Sequence, residues 1–314
     1  MRKLWGKILS LLTIVSLCAC SAQETEGKQE EVKGKQNIKQ KQEYTINTLD
    51  SEELLIAHAM GSVKAKGINQ RFTNSKEALL DNYNEGIRAF ETDLNLTSDD
   101  RLVARHDWKD YLYQTLGQKK PEGVGTNKPL SYKSFKSLMI HDTIHPLDFE
   151  EIIQIMKEKK DIYLVTDTKD NNLDIIKKQF EYIVNKTKEV DESILNRIIV
   201  QVYTRDMYDM VEQIHHFDKV IYTLYQSADT NEQIRDFVKD HDNVFAITFS
   251  PDLWEKRKDA IPMIKDMGKK VYMNTFNTEE ELASYRSAGV DGFYTDELRQ
   301  KQNGLVITTG NTNR

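Results

Sequence analysis

From Leu54 onward the chain reads as a closed parallel (β/α)8, or TIM, barrel, an α/β fold made of a single domain with an insertion after its second strand. Two observations carry that reading. Short apolar runs alternate with longer amphipathic stretches, the pattern of parallel strands joined by crossover helices. The alternation repeats eight times over a body of roughly 265 residues, long enough to bury one sizeable core. A doubly wound open sheet uses the same alternation and is the competing arrangement.

The expected strands are Leu54–Ala59, Ala89–Leu94, Ile162–Thr166, Ile198–Tyr203, Val220–Tyr225, Val244–Phe249, Lys270–Phe276 and Gly292–Thr295. Between them the segments Ser75–Glu85, Asp148–Lys159, Asn172–Lys188, Arg205–Phe217, Asn231–Asp240, Leu253–Met267 and Glu279–Ala288 place apolar residues near i, i+3, i+4 and i+7, the stripe of a helix that packs on a sheet. Gly86, Gly268 and Gly289 follow three of these helices as terminators. The stretch from Trp108 to His145 breaks the rhythm: it is long, polar and punctuated by glycine, and is expected as an insertion near the barrel mouth.

Both ends lie outside the barrel. A basic start (Met1-Arg2-Lys3) precedes an apolar run from Ile8 to Leu17, the order of an export signal too short to remain as a membrane span. Residues Leu17-Cys18-Ala19-Cys20 resemble the bacterial lipobox, which makes Cys20 the expected site of lipidation and the first residue of the mature chain. Residues 1–20 thus hold the signal peptide with its lipobox, 21–48 a disordered tether of Gln, Lys, Glu and Gly that cannot repay ordering entropy by burial, 49–300 the barrel, and 301–314 a polar tail. The expected location is the outer face of the bacterial cytoplasmic membrane, in the cell envelope. Both cysteines fall in the leader, so no catalysis by the body rests on a thiol. The formal charge is −6, and loss of a leader holding Arg2, Lys3 and Lys7 makes the chain more acidic still. Nucleic acid is excluded as a partner, since its binding needs a cationic surface.

The residues able to do chemistry cluster at strand ends. Glu91 and Asp93 are two apart in Phe90-Glu91-Thr92-Asp93-Leu94, so both carboxylates face the same way. Asp167 and Lys169 repeat that spacing just beyond the next apolar strand. Three carboxylates with one ammonium suit a hard cation, Ca²⁺ or Mg²⁺, beside an anion anchor. His58 closes the first strand, and His106 closes the strand-like Leu102-Val103-Ala104-Arg105-His106-Asp107. Two imidazoles on the face where barrel active sites form supply a general base and a general acid. Phosphodiester cleavage needs both, together with neutralisation of the phosphate charge. His215 and His216 read as helix-end residues, His141 and His145 as insertion residues, and Tyr222, Tyr225, Phe249 and Trp254 as packing.

The ordered series Ile56-Ala57-His58, Phe72-Thr73-Asn74-Ser75, Phe90 to Leu94, Leu102 to Asp107, Ile144 to Leu147, Asp167-Thr168-Lys169 and Gly289 to Asp296 resembles the glycerophosphodiester phosphodiesterase family over about residues 54–297. The resemblance implies a barrel hydrolase with His58 and His106 as acid–base pair, a divalent metal on Glu91, Asp93 and Asp167, Lys169 on the phosphate and Asn74 shaping the loop above. The chain departs from the family where an Arg directly follows the first His, since here it reads His58-Ala59-Met60. Asp167 stands for the usual Glu, and Asn274-Thr275 for a late Trp-Thr pair. A missing guanidinium removes a bidentate phosphate donor, leaving Lys64, Lys66 or Arg71 to supply charge. Small residues after the His also resemble a branch near the phosphatidylinositol-specific phospholipase C superfamily, in which Gln201 and Tyr203 of Ile199-Val200-Gln201-Val202-Tyr203 are further substrate-binding candidates.

The expected activity is therefore metal-dependent hydrolysis of a small-molecule or lipid-headgroup phosphodiester at the membrane that Cys20 anchors. Phospholipase C-like cleavage through a cyclic phosphate is one alternative, and an inactive envelope-binding lipoprotein is the other.

Overall fold

The computed structural model describes residues 44–64 and 67–307. Eight parallel strands close on themselves, the last pairing with the first. In chain order the strands are β1 (Leu54–Ala57), β2 (Ala89–Leu96), β3 (Leu102–Ala104), β4 (Tyr163–Asp167), β5 (Ile198–Val202), β6 (Val220–Thr223), β7 (Val244–Phe249), β8 (Lys270–Met273), β9 (Gly292–Thr295), β10 (Leu298–Lys301) and β11 (Gly304–Ile307). All except β3, β10 and β11 are staves of the barrel. β1 pairs with β9 (Ile56 opposite Tyr294) and with β2 (Ile56 opposite Ala89), which excludes the open sheet. All eight expected strands form.

The helices are α1 (Lys76–Asn84), α2 (Asp110–Thr115), α3 (Tyr132–Lys136), α4 (Phe149–Glu158), α5 (Leu173–Val190), α6 (Arg205–Ile214), α7 (Asn231–Asp240), α8 (Trp254–Arg257), α9 (Ile261–Asp266) and α10 (Glu279–Ser287). Ser75, Asn172 and Thr204 accept backbone N–H groups at the starts of α1, α5 and α6, and capping boxes begin α4 (Asp148 with Glu151), α7 (Thr230 with Gln233) and α10 (Thr278 with Glu281). The expected helix 253–267 is divided, because Pro262 starts a fresh turn in α9 after a 3₁₀ step at Lys258–Ala260.

The interior follows period two. Leu54 and Ile56, Ala89, Val165, Ile199, Ile221, Ala246, Tyr272 and Tyr294 meet inside as a buried floor. The other faces of the same strands pack against the helices in the larger core. Inward positions further along each strand, at its carboxyl end, are polar.

The insertion forms where expected and carries structure of its own, and two expectations at the edges are corrected. The insertion is not a bare loop: α2 and α3 pack Trp108, Tyr113, Leu130, Phe135 and Leu138 with Val103 into a small core of their own. Its helices, six and five residues long, are too short to stand out as an extended helical stripe. The expected tail begins as structure, since β10 and β11 form an antiparallel hairpin from Leu298 to Ile307. Residues 44–48, assigned to the tether, lie against the barrel: Thr45 N–H donates to Gln300 O (2.9 Å) and Asn47 N–H to Gly86 O (2.9 Å). The Asn47 side chain bridges Glu53 O and Leu55 N at the start of β1. The leader, Cys20 and residues 21–43 lie outside the described residues.

Candidate active site

Strand β2 brings Glu91 and Asp93 to its inner face, and β4 ends in Asp167 directly alongside, with Asp93 and Asp167 in register. Carboxylate oxygens of all three lie within 4.8 Å of one another, and all three residues are buried. Lys169 swings back over them. Its Nζ is 2.5 Å from Asp167 Oδ2 and 2.9 Å from Asp93 Oδ1, and its backbone takes a left-handed φ of 51°. The Asn74 side chain donates to Asp93 Oδ2 (2.7 Å) and accepts from the Asp93 N–H (3.1 Å), while Ala59 N–H donates to Glu91 Oε2 (2.6 Å). Ala59, Met60, Phe72 and Asn74 also have positive φ, so unfavourable backbone is concentrated around the cluster.

Each imidazole has a carboxylate behind it. His58, on a 3₁₀ turn after β1 rather than within the strand, holds Asp296 Oδ1 with Nδ1 (3.0 Å). Asp296 is in turn bound by Asn277 Nδ2 (2.8 Å). His106 Nδ1 meets Asp107 Oδ2 (3.0 Å), which also accepts from the Tyr111 hydroxyl (2.5 Å). The backbone places His106 beside the acids: Arg105 N–H donates to Asp93 O (2.8 Å), and Asn95 clamps the carbonyls of Arg105 and His106. The Phe72 ring stands edge-on to both imidazoles, 5.1 Å from His58 and 6.2 Å from His106.

The electrostatics describe one coupled set. Burial and the neighbouring Asp93 charge push the Glu91 carboxyl up to about 8. Burial acts the same way on Asp93, but Lys169, both histidines and Asn74 outweigh it and bring Asp93 down to about 2. Burial opposes the charge on His58, yet the Asp296 hydrogen bond and the Glu91, Asp296 and Asp93 charges raise it to about 9. A hard divalent cation fits this cluster. The donor set is oxygen only, three carboxylates face a single ammonium, and Glu91 Oε1 is buried without a hydrogen-bond partner.

The other expected site residues separate. The Tyr203 hydroxyl donates to Asp167, so it holds a carboxylate of the cluster and is buried. Gln201 lies one layer deeper, where its Oε1 accepts from Tyr294 OH (2.6 Å) and Thr223 Oγ1 (3.2 Å). Of the two described candidates for the charge of the missing Arg, Arg71 is placed at the mouth: its Nε lies 3.7 Å from Asp296 Oδ2 and 2.8 Å from Glu297 Oε1. Lys64 is set among Glu85, Arg299, Glu297 and Asp81, and Lys66 lies outside the described residues. His141 bonds Gln70 and His216 bonds Glu212, and neither has a hydrogen bond to the three acids. Sequence reasoning missed Asp296, Asn277, Tyr111 and Phe72 as site residues. Asp107 carried a signal, being the neighbour of His106, whereas Asp296 is 238 positions from its partner.

Two carboxylate-backed imidazoles beside an oxygen-only acidic cluster, at the carboxyl end of a parallel barrel, define a barrel hydrolase equipped for acid–base chemistry on an anion. The sequence model of the glycerophosphoryl diester phosphodiesterase family matches residues 66–300, and the chain belongs to that family, a family of phosphoric diester hydrolases. Solved structures share the fold. A glycerophosphodiester phosphodiesterase from Parabacteroides distasonis is 18% identical, with 78% of this chain and 93% of that one covered at a TM-score of 0.62. An Oleispira antarctica phosphodiesterase, solved with the product sn-glycerol-3-phosphate, is 16% identical over 77% and 92% at 0.58. A glycerophosphodiester phosphodiesterase from Thermotoga maritima is 16% identical over 78% and 95% at 0.56. A comparison with curated proteins gives no match.

Proposed function

We propose that the chain hydrolyses a glycerophosphodiester-type substrate with a divalent cation, Ca²⁺ or Mg²⁺, held by Glu91, Asp93 and Asp167. The observation that carries this is the convergence of those three carboxylates within 4.8 Å beside two carboxylate-backed imidazoles. When bound, the cation supplies positive charge that polarises the phosphoryl group and offsets the anion. Lys169 and Arg71 add charge on the same side. A water oxygen forms its bond to phosphorus as the P–O bond to the departing alcohol breaks; His58 takes the proton of the water and His106 returns one to the alcohol oxygen. Each imidazole uses Nδ1 for its aspartate, which fixes the tautomer and leaves Nε2 for substrate. Service of His58 as base requires that the Glu91 and Asp93 charges be compensated, since those charges help to keep it protonated. A product such as glycerol 3-phosphate, which the Oleispira antarctica enzyme holds, suits the same pocket.

A second reading is attack by a neighbouring hydroxyl of the substrate to give a cyclic phosphate, as in phospholipases C. It draws on the residues after His58: Ala59 and Met60 are buried and present no phosphate ligand. We place the protein at the cell envelope, anchored through Cys20, on the strength of its leader.

The test is turnover of glycerophosphocholine and bis(p-nitrophenyl) phosphate by the purified full chain with Ca²⁺ or Mg²⁺. Activity is expected to stop with chelator and to fall by at least about a hundredfold in Glu91→Ala and in His106→Ala. Activity indifferent to chelator and to both substitutions sinks the proposal, and ³¹P spectra of the products separate hydrolysis from cyclisation.

A further inference from the structure

A phosphodiester anion that settles between His58 and His106 meets the carboxylates of Glu91, Asp93 and Asp167, with Asp296 and Asp107 behind the imidazoles. The cationic side chains of the site are Lys169 and Arg71. The Lys169 ammonium is already bound to Asp167 and Asp93. Arg71 is more open, its side chain 44% exposed against 24% for Lys169. Both hydrogen bonds of its guanidinium go to a single oxygen: Nε (2.8 Å) and Nη2 (2.5 Å) converge on Glu297 Oε1. A guanidinium fork pairs best with two oxygens at once, and the two non-bridging oxygens of a phosphodiester supply them.

The backbone is pinned on either side of Arg71, so a change of partner needs only the side chain. Gln70 exchanges both backbone hydrogen bonds with Val63 (2.9 and 3.1 Å), its Oε1 meets His141 Nε2 (3.1 Å), and Asn74 is tied to Asp93. Phe72, the next residue, has its ring 5.1 Å from that of His58 and 6.2 Å from that of His106. Arg71 Nε lies 3.7 Å from Asp296 Oδ2, and the other oxygen of that carboxylate holds His58. The guanidinium thus stands one carboxylate away from an imidazole, on a long stem whose anchored Cα adjoins the gap between the two rings. Glu297 is anchored too, its N–H donating to Asn277 Oδ1 (3.2 Å) and Thr295 Oγ1 (3.2 Å).

We propose that Arg71 is the guanidinium that grips the substrate phosphate, and that Glu297 holds it aside until the phosphate displaces that carboxylate. The proposal rests on the hydrolase reading above and deepens it by naming the pair of residues that sets phosphate affinity. Binding exchanges one anion for another on the same cation, so the two residues act in opposite directions: the arginine tightens phosphate and the glutamate loosens it. A bridge that only braced the segment would make the two substitutions act alike.

The experiment measures kcat and KM for bis(p-nitrophenyl) phosphate, which has no glycerol to contribute, and the inhibition constant of inorganic phosphate. It uses the full chain with Ca²⁺ or Mg²⁺, beside Arg71→Ala and Glu297→Gln. Arg71→Ala is expected to raise both KM and the inhibition constant by about tenfold or more, the loss of a charge-assisted pair, with added guanidinium chloride restoring part of it. Glu297→Gln should lower both constants by about two- to fivefold, the range an exposed ion pair commands. Constants that rise or stand still in Glu297→Gln overturn the proposal, and that variant decides alone if Arg71→Ala fails to fold. Hydrolysis by the parent chain with constants unmoved in Arg71→Ala leaves the hydrolase reading standing and removes this one, whereas a parent chain that cleaves no diester removes both.

Discussion

Glu91 is held at one oxygen by the Ala59 N–H and is bare at the other, a buried carboxyl beside a second acid. With its titration raised to about 8 it keeps a proton at neutral pH that the unfolded chain has released. Stability of the cation-free protein should therefore decline as pH rises from the ordinary carboxyl range through about 8. Calorimetry in two buffers of different ionisation enthalpy should show roughly one proton released per Ca²⁺ or Mg²⁺ bound at pH 7, because binding needs the carboxylate. Glu91→Gln should abolish that binding while leaving the urea midpoint of the cation-free protein unchanged or higher. His58 has the same sign, over a higher pH window. Its folded titration lies near 9, above its unfolded value, so the pair with Asp296 contributes fully below about pH 6.5 and is lost as pH rises through about 9. In Asp296→Asn the imidazole resonance should titrate well below its position in the parent protein, and an unmoved NMR curve removes Asp296 as the cause.

At the scale of elements, period two made the acids legible. Glu91 and Asp93 sit two apart on an apolar strand, Asp167 and Lys169 two apart after another, and the strand pairing brings Asp93 beside Asp167. The same rule left other features invisible. His58 belongs to a 3₁₀ turn with a left-handed residue next to it, which no hydrophobic pattern encodes. Helices α2 and α3 are one to two turns long and stand on packing with Val103, not on a stripe. Glycine spacing was informative where conformation demanded it: Gly86, Gly268 and Gly289 all adopt positive φ behind their helices. Closure itself depends on Gly292 of β9. A Cβ there would sit 2.6 Å from Leu54 O and 2.9 Å from Leu54 Cβ on β1. Gly292→Ala is thus expected to destabilise by about 1–3 kcal/mol in chemical denaturation, by forcing the last stave away from the first.

For the whole molecule, the fold was readable because eight repeats of one pattern over this length have few solutions, and the pairing of β1 with β2 and β9 selects the closed one. Partners far apart in the chain were not readable, since nothing local in Thr295-Asp296 points to His58. The leader remains a sequence argument with its own check: Cys20→Ser should move the protein from the membrane fraction to the soluble fraction and end incorporation of a labelled fatty acid. The buried floor beneath the acids has a last consequence. Leu54, Ile56, Val165, Ile199 and Ile221 stop the barrel like a cork, so traffic through it is impossible and the chamber is a cul-de-sac. Substrate, alcohol and phosphomonoester all share a single doorway, and each turnover must be vacated through the entrance by which it began. Accumulated phosphomonoester should then compete with incoming diester, and the enzyme would slow as its own product gathers.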